Sequence, residues 1–197
     1  MDLDGALASL RSGAIVAIPT DTVYGLAVDP TVPGATDALF ALKRRPDALD
    51  LPVLVGSLDQ AEALAGPAGL AESARRLAQR FWPGALTIVV RRRPGLDWAL
   101  GADTRSIGLR LPDHDVARAL CADVGPLATT SANHHGEPPC ADAEDVARVF
   151  GSSVMIVDGG RCDGAPSTVV SVLGDSLRCV REGAVPWAEV VAALEVD

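Results

Sequence analysis

Lysine is all but absent from this chain of 197 residues: Lys43 stands alone against sixteen arginines. Aromatic residues are also scarce, at 4%, so Ala, Val and Leu have to supply most of the buried surface. No apolar run approaches the roughly 20 residues that a membrane-spanning helix requires, and no membrane partner is expected. The N-terminal stretch MDLDGALASLRSG is acidic and amphipathic and does not read as a secretory signal. Cys121, Cys140, Cys162 and Cys179 are widely spaced with no CxxC pair, as expected of isolated reduced thiols in a cytoplasmic protein. Net positive charge is lacking too: 26 acidic residues outnumber 17 basic ones, for a formal charge of −9. That argues against a general nucleic-acid coat, which needs a basic face. Local basic clusters on an acidic body point instead to a specific anionic ligand. Walker-A, GxSxG and HExxH motifs are missing, so a nucleotide bound here would be bound without a P-loop.

What remains is a composition of 48% hydrophobic and 22% charged residues, which suits one globular domain with a well-filled core. Apolar periodicity alternates between helical and strand-like segments. Helices are expected over 3–11, 32–43, 69–81, 113–122, 142–150 and 186–195. Another is expected to open at a Ser57/Gln60 capping box. Strands are expected over 14–18, 52–55, 85–92, 106–111, 126–130, 153–158, 167–173 and 177–182. The interleaving predicts an α/β fold with helices packed on a buried sheet, with residues 1–197 as one domain. PTDTVYGLAVDP (19–30), HHGEPP and DGGRCDGAPS read as ordered loops between elements.

Several of these stretches carry chemistry. Thr20, Asp21 and Thr22 follow a buried strand, where ligand loops of open α/β sheets lie. Lys43, Arg44 and Arg45 end a predicted helix, where cations are favoured by the helix dipole whatever their function. A compact ammonium is also a point-charge ligand for phosphate, whereas arginine offers a planar fork. Thr129, Thr130, Ser131 and Asn133 place hydroxyls and an amide at another strand end, suited to hydrogen bonding more than to nucleophilic attack. His134 and His135, with Glu137 and Cys140, are weak metal candidates, because adjacent histidines point in different directions. Arg110 alternates with apolar neighbours in SIGLRLP and needs an anionic partner, for which a small ligand carboxylate is one choice and a structural ion pair another. Arg181 is the last basic residue of the final strand.

In order along the chain, PTDTVYGL, Lys43-Arg44-Arg45, FWPGALT, SIGLRLPDH, TSAN, VDGG, STVVSV and REG together resemble the YrdC/TsaC family of threonylcarbamoyl-AMP synthases. The marks run from about residue 15 to residue 183. The resemblance implies a YrdC-like twisted mixed sheet with surrounding helices and a positively charged cleft, in the short single-domain form. It implies synthesis of threonylcarbamoyl-AMP and pyrophosphate from L-threonine, bicarbonate and ATP, with Mg²⁺. Separate proteins would then receive the adenylate for tRNA modification. By the same resemblance Lys43, Arg45, Asn133 and Arg181 would contact ATP, with Lys43 and Arg45 catalytic. Thr22, Arg110, Ser131 and Ser167 would bind threonine, and the metal ligands are left unassigned. Gly56 departs from the pattern, standing where many relatives carry a histidine that touches threonine. It keeps open a YciO-type paralogue with a different substrate. An RNA-binding module of the same fold, or weak RNA binding beside the enzyme activity, is the remaining alternative.

Overall fold

A computed structural model describes residues 2–44, 49–174 and 176–195. Helix α1 (Leu3–Arg11) begins at Asp2, whose carboxylate accepts from Gly5 N at 2.9 Å. Strands β1 (Val16–Ile18) and β2 (Gly25–Val28) follow, then α2 (Ala35–Lys43) and β3 (Val53–Leu54). Next come α3 (Leu58–Leu64), α4 (Glu72–Phe81), β4 (Leu86–Arg91) and β5 (Ser106–Arg110). Helix α5 (Asp115–Asp123), β6 (Leu127–Ser131), α6 (Ala143–Phe150) and β7 (Met155–Ile156) lead to β8 (Thr168–Ser171) and β9 (Arg178–Arg181). Helix α7 (Trp187–Glu195) closes the order. One expectation fails at β2: the second half of PTDTVYGLAVDP is not loop. Gly25–Val28 is a fully buried strand antiparallel to both β1 and β6, and a buried four-residue apolar run leaves no alternation to read.

The strands form one mixed sheet in the order β7-β1-β2-β6-β3-β5-β4-β8-β9. Side chains alternate across it with period two, and the two faces are covered differently. Leu26, Val28, Val53, Leu109, Ile88 and Val170 belong to the larger apolar cluster, sealed by α2, α3, α4, α6 and α7. The other face is covered only in part. Val16, Ile18, Ala27, Leu54 and Leu127 pack under Leu10 of α1 and Val116, Leu120 and Cys121 of α5. Beyond those two helices the same face turns polar, and there the cleft lies.

Local details differ from the sequence reading. Ser57 caps α3 by accepting from Gln60 N at 3.2 Å, but Gln60 Oε1 accepts from Gly56 N, not from the cap residue itself. Gly34, in the left-handed region at φ 81°, precedes α2, so Pro33 lies outside the helix and not in its first turn.

Candidate functional site

A cleft of about 310 Å³ opens on the uncovered part of the second face. Thr129 and Ser131 of β6, Arg110 of β5, Thr87 of β4, Ser167 and Arg181 all line it. Register explains the convergence. Arg110 is opposite Leu54, Ile88 pairs with Leu109 so that Thr87 falls beside Arg110, and Val169 pairs with both Thr87 and Arg181. Thr20 and Thr22 enter from the turn after β1, and Asn133 from the turn after β6.

At one end Arg110 is 6% exposed and held on three sides. Its Nη2 donates to Asp21 Oδ1 at 2.6 Å, Nη1 to Thr22 Oγ1 at 3.0 Å, and Nε to the Gly84 carbonyl at 3.0 Å. Burial pushes the Arg110 guanidinium below its ordinary pKa, with Asp21 pulling it back up. Three of its five N–H donors are therefore spent inside the protein, leaving two. The Thr22 hydroxyl is oriented as well. Thr20 Oγ1 donates to the Val23 carbonyl at 2.6 Å, so Thr22 must donate to Thr20 across their 3.0 Å contact and accept from Arg110. The sequence offered a ligand carboxylate or a structural ion pair for Arg110, and Asp21 supplies the second. In sequence, Asp21 is only one polar residue of a Thr/Asp turn. Its acidic side chain one turn after a strand, with an arginine buried in a neighbouring strand, is the signal that could have paired them.

Lys43 does not itself line the cleft; it lies 2% exposed behind Ser131 and Asn133, which do. Its Nζ donates to the Ser131 carbonyl at 2.6 Å and to Asn133 Oδ1 at 2.8 Å, while its own carbonyl accepts from His135 N at 3.2 Å. The lysine is thus clamped to the TSANHH turn through both its side chain and its backbone, not laid over solvated carbonyls at a helix end. Arg44 follows in the left-handed region at φ 53°, a strained conformation for a non-glycine residue, and turns the chain away. Asn133 holds this corner together. Its Oδ1 also accepts from Ser131 Oγ at 2.6 Å, and its Nδ2 donates to the carbonyls of His134 and Glu137 at 2.9 and 2.6 Å. Both amide hydrogens are used, so Asn133 positions Lys43 and has no spare donor for a ligand. Arg45, expected beside Lys43, lies outside the described residues.

The third wall joins Thr87, Ser167 and Arg181. Thr87 Oγ1 and Ser167 Oγ are 3.0 Å apart, and Arg181 Nη2 donates to the Ser167 carbonyl at 2.7 Å. Among the described residues Arg181 has no ion-pair partner, and burial followed by the nearby Arg110 charge lowers its pKa. Gly183 is pressed against this wall, since a Cβ there would sit 2.1 Å from the Pro166 carbonyl oxygen. Thr87 escaped sequence reading, although its hydroxyl between Leu86 and Ile88 follows the strand alternation.

One further expectation changes. Gly56 does not line the cleft: a Cβ there would meet Ala122 N, Arg118 O and Cys121 Cβ at 3.1 to 3.2 Å, against α5. Tyr24 is fully buried, donating to the Gly160 carbonyl and accepting from Gly159 N, which makes it a strut for the 158–166 loop. Among the described residues no group of three or more His, Cys, Asp or Glu could hold a metal ion, and no helix is long and apolar enough to cross a membrane.

A mixed α/β sheet with a cleft lined by Arg110, Arg181 and several hydroxyls is a fold and site suited to an anionic ligand. The chain belongs to the Sua5/YciO/YrdC family, whose "telomere recombination" model matches residues 8–183. It is 39% identical over 194 residues to a putative threonylcarbamoyl-AMP synthase of Mycobacterium tuberculosis, covering 98% of this chain and 88% of that one. A threonylcarbamoyl-AMP synthase of Bacillus subtilis is 38% identical, covering 96% of this chain but 55% of its own length. Among solved structures, Pyrococcus abyssi Sua5 complexed with L-threonine superposes with a TM-score of 0.92 at 32% identity. That match covers 98% of this chain and 57% of Sua5. Escherichia coli YciO shares the fold, with a TM-score of 0.84 at 24% identity, over 93% of this chain and 90% of its own.

Proposed function

We propose that this protein is a threonylcarbamoyl-AMP synthase, using ATP, L-threonine and bicarbonate, and thus a nucleotidyltransferase. The observation that carries the reading is Arg110, buried in the cleft and oriented by Asp21 and Thr22, with two donors left for a small carboxylate. It gains weight from the relatives' shared activity name and from a Sua5 relative that binds L-threonine.

In this reading the threonine amine and bicarbonate form a carbamate with loss of water. A carbamate oxygen then attacks the α-phosphorus of ATP. The new P–O bond forms as the bond to the β-phosphoryl oxygen breaks, and pyrophosphate leaves with that electron pair. Such a displacement needs positioning and charge neutralisation more than a protein nucleophile. Arg110 and Thr22 would fix the amino acid, with Ser131 and the Thr87–Ser167 hydroxyl pair lining the space between the ligands. Lys43, Arg45 and Arg181 would face the phosphates, and Asn133 would hold Lys43 in place. No cluster of metal-ligating side chains is found among the described residues. Mg²⁺ would be held by phosphate oxygens and water, where it would neutralise charge on the triphosphate. The adenylate would pass to separate tRNA-modifying proteins in the cytoplasm.

Pyrophosphate release by the purified protein tests the assignment, with threonine and bicarbonate each omitted in turn. Release that depends on both is expected. Release that ignores either one sinks the threonylcarbamoyl reading in favour of a YciO-type substrate. ATP-independent, salt-sensitive RNA binding without release would instead favour the RNA-binding module.

A further inference from the structure

A second concave site lies at the opposite end of β4 and β5 from the cleft. Thr87 belongs to the cleft and Arg91 to the second site, four residues and roughly 13 Å further along an extended strand. This trough, of about 810 Å³, is lined by Arg91, Arg92, Arg93 and Arg105, with Trp98 and a single acidic residue, Asp97. Its frame is pinned by backbone bonds. Arg92 N donates to the Arg105 carbonyl at 2.8 Å, Arg93 N to Leu64 O at 2.9 Å, and Leu96 N to Arg93 O at 3.3 Å.

The arginines are not consumed by the protein. Arg91, Arg93 and Arg105 are exposed and have no ion-pair partner among the described residues. The nearby carboxylate of Asp103 is spent on Ser106 Oγ at 2.6 Å and Arg105 N at 2.8 Å. Arg92 is only 7% exposed, and its Nη2 donates to the Trp98 carbonyl. Its Nε, however, is buried with no partner among the described residues. That nitrogen faces the protein and not the trough, so the donors open to a ligand are those of Arg91, Arg93 and Arg105. Burial holds the Arg92 pKa below its ordinary value, offset in part by Asp97, Asp103 and Asp50.

We propose that this arginine trough is a second anion site, distinct from the cleft, that takes a small polyphosphate of the pyrophosphate type. Three exposed guanidiniums, backed by the buried Arg92 and with Asp97 the one carboxylate in the lining, favour a compact, multiply charged anion over a single carboxylate. The acidity of the chain as a whole disfavours an extended polyanion, whose flanks would meet negative surface.

Calorimetric titration with sodium pyrophosphate tests the site without reference to turnover. Its failure therefore leaves the threonylcarbamoyl assignment standing, and failure of that assignment leaves this site standing. Wild-type protein should show two classes of site, and Arg181→Ala should retain the trough's. Arg93→Ala/Arg105→Ala, at exposed positions, should lose that class by at least tenfold in affinity with an unchanged melting temperature. Arg93→Lys/Arg105→Lys should keep part of it, which separates lost charge from lost fold. No pyrophosphate binding by the wild type, or titrations unaltered by the double alanine variant, would overturn the proposal. So would chloride competing as well as pyrophosphate, or an RNA oligonucleotide binding through these arginines where pyrophosphate does not.

Discussion

Leu109 and Arg110 are neighbours on β5 and point to opposite faces of the sheet. Leu109 is fully buried in the cluster sealed by five helices, while Arg110 lines the cleft. The same alternation separates Ile88 from Thr87, and Val170 from Val169, whose strand partners Thr87 and Arg181 line the cleft. One face is closed and mostly apolar. The other is apolar only beneath α1 and α5, and polar where no helix covers it. Function here is what is left when a face is not sealed: the strands are rigid because of one side, and the side chains on the other are positioned at no further cost in loops.

The sharpest way to break this contrast is Arg181→Ala. Turnover should fall about 100- to 1,000-fold, as for other lost transition-state donors, with the melting temperature barely moved. Unaltered turnover would remove the third wall from the site. Lys43→Met should show the same loss of turnover and a stability cost besides, because Ser131 O and Asn133 Oδ1 lose a buried donor. Urea titration distinguishes the two variants, and equal midpoints would mean that Lys43 holds nothing together. On the sealed face, Leu109→Ala should cost roughly 2–5 kcal/mol while the folded fraction keeps its turnover and KM. A change in KM would show that the faces are not independent.

The smallest effect expected is at His114, whose Nδ1 is buried without a partner among the described residues. Burial lowers its pKa below 6.5, with Asp21, Asp115 and Asp113 opposing and Arg118 reinforcing. The unfolded chain then binds the proton first as pH falls. Stability is complete above the ordinary histidine value and declines as pH drops towards the folded one. His114→Gln should flatten the dependence of Tm on pH between neutral and mildly acidic conditions, by a few degrees at most. An unchanged slope would place the titration elsewhere.

Most elements of the sheet were readable because buried strands and amphipathic helices keep their periods. β2 was lost because Gly25–Val28 is buried on both faces and follows a turn rich in Thr and Asp, so composition masked period. At the site, residue types were readable but their partners were not. Arg110 asked for an anion, and only the fold shows that Asp21 answers. Asn133 looked like a ligand contact because an amide at a strand end often is, yet its hydrogen bonds close within the protein. Gly56 marked a departure from relatives, but spacing alone cannot show that its Cα abuts α5 instead of the cleft. The run Arg91-Arg92-Arg93 is contiguous in sequence, but only the β4–β5 hairpin brings it to Arg105.

The burial of Lys43 has a practical consequence for how this protein can be watched. A protease that cuts only after lysine has a single target bond in the whole chain, and the side chain it must recognise is 2% exposed, held behind Ser131 and Asn133 of the cleft. Cleavage must wait for that corner to open, so its rate measures the free energy of local opening at the site itself. Two fragments, of 43 and 154 residues, would report on the gel how often the cleft lets go of its lysine, and how much less often when ATP is added.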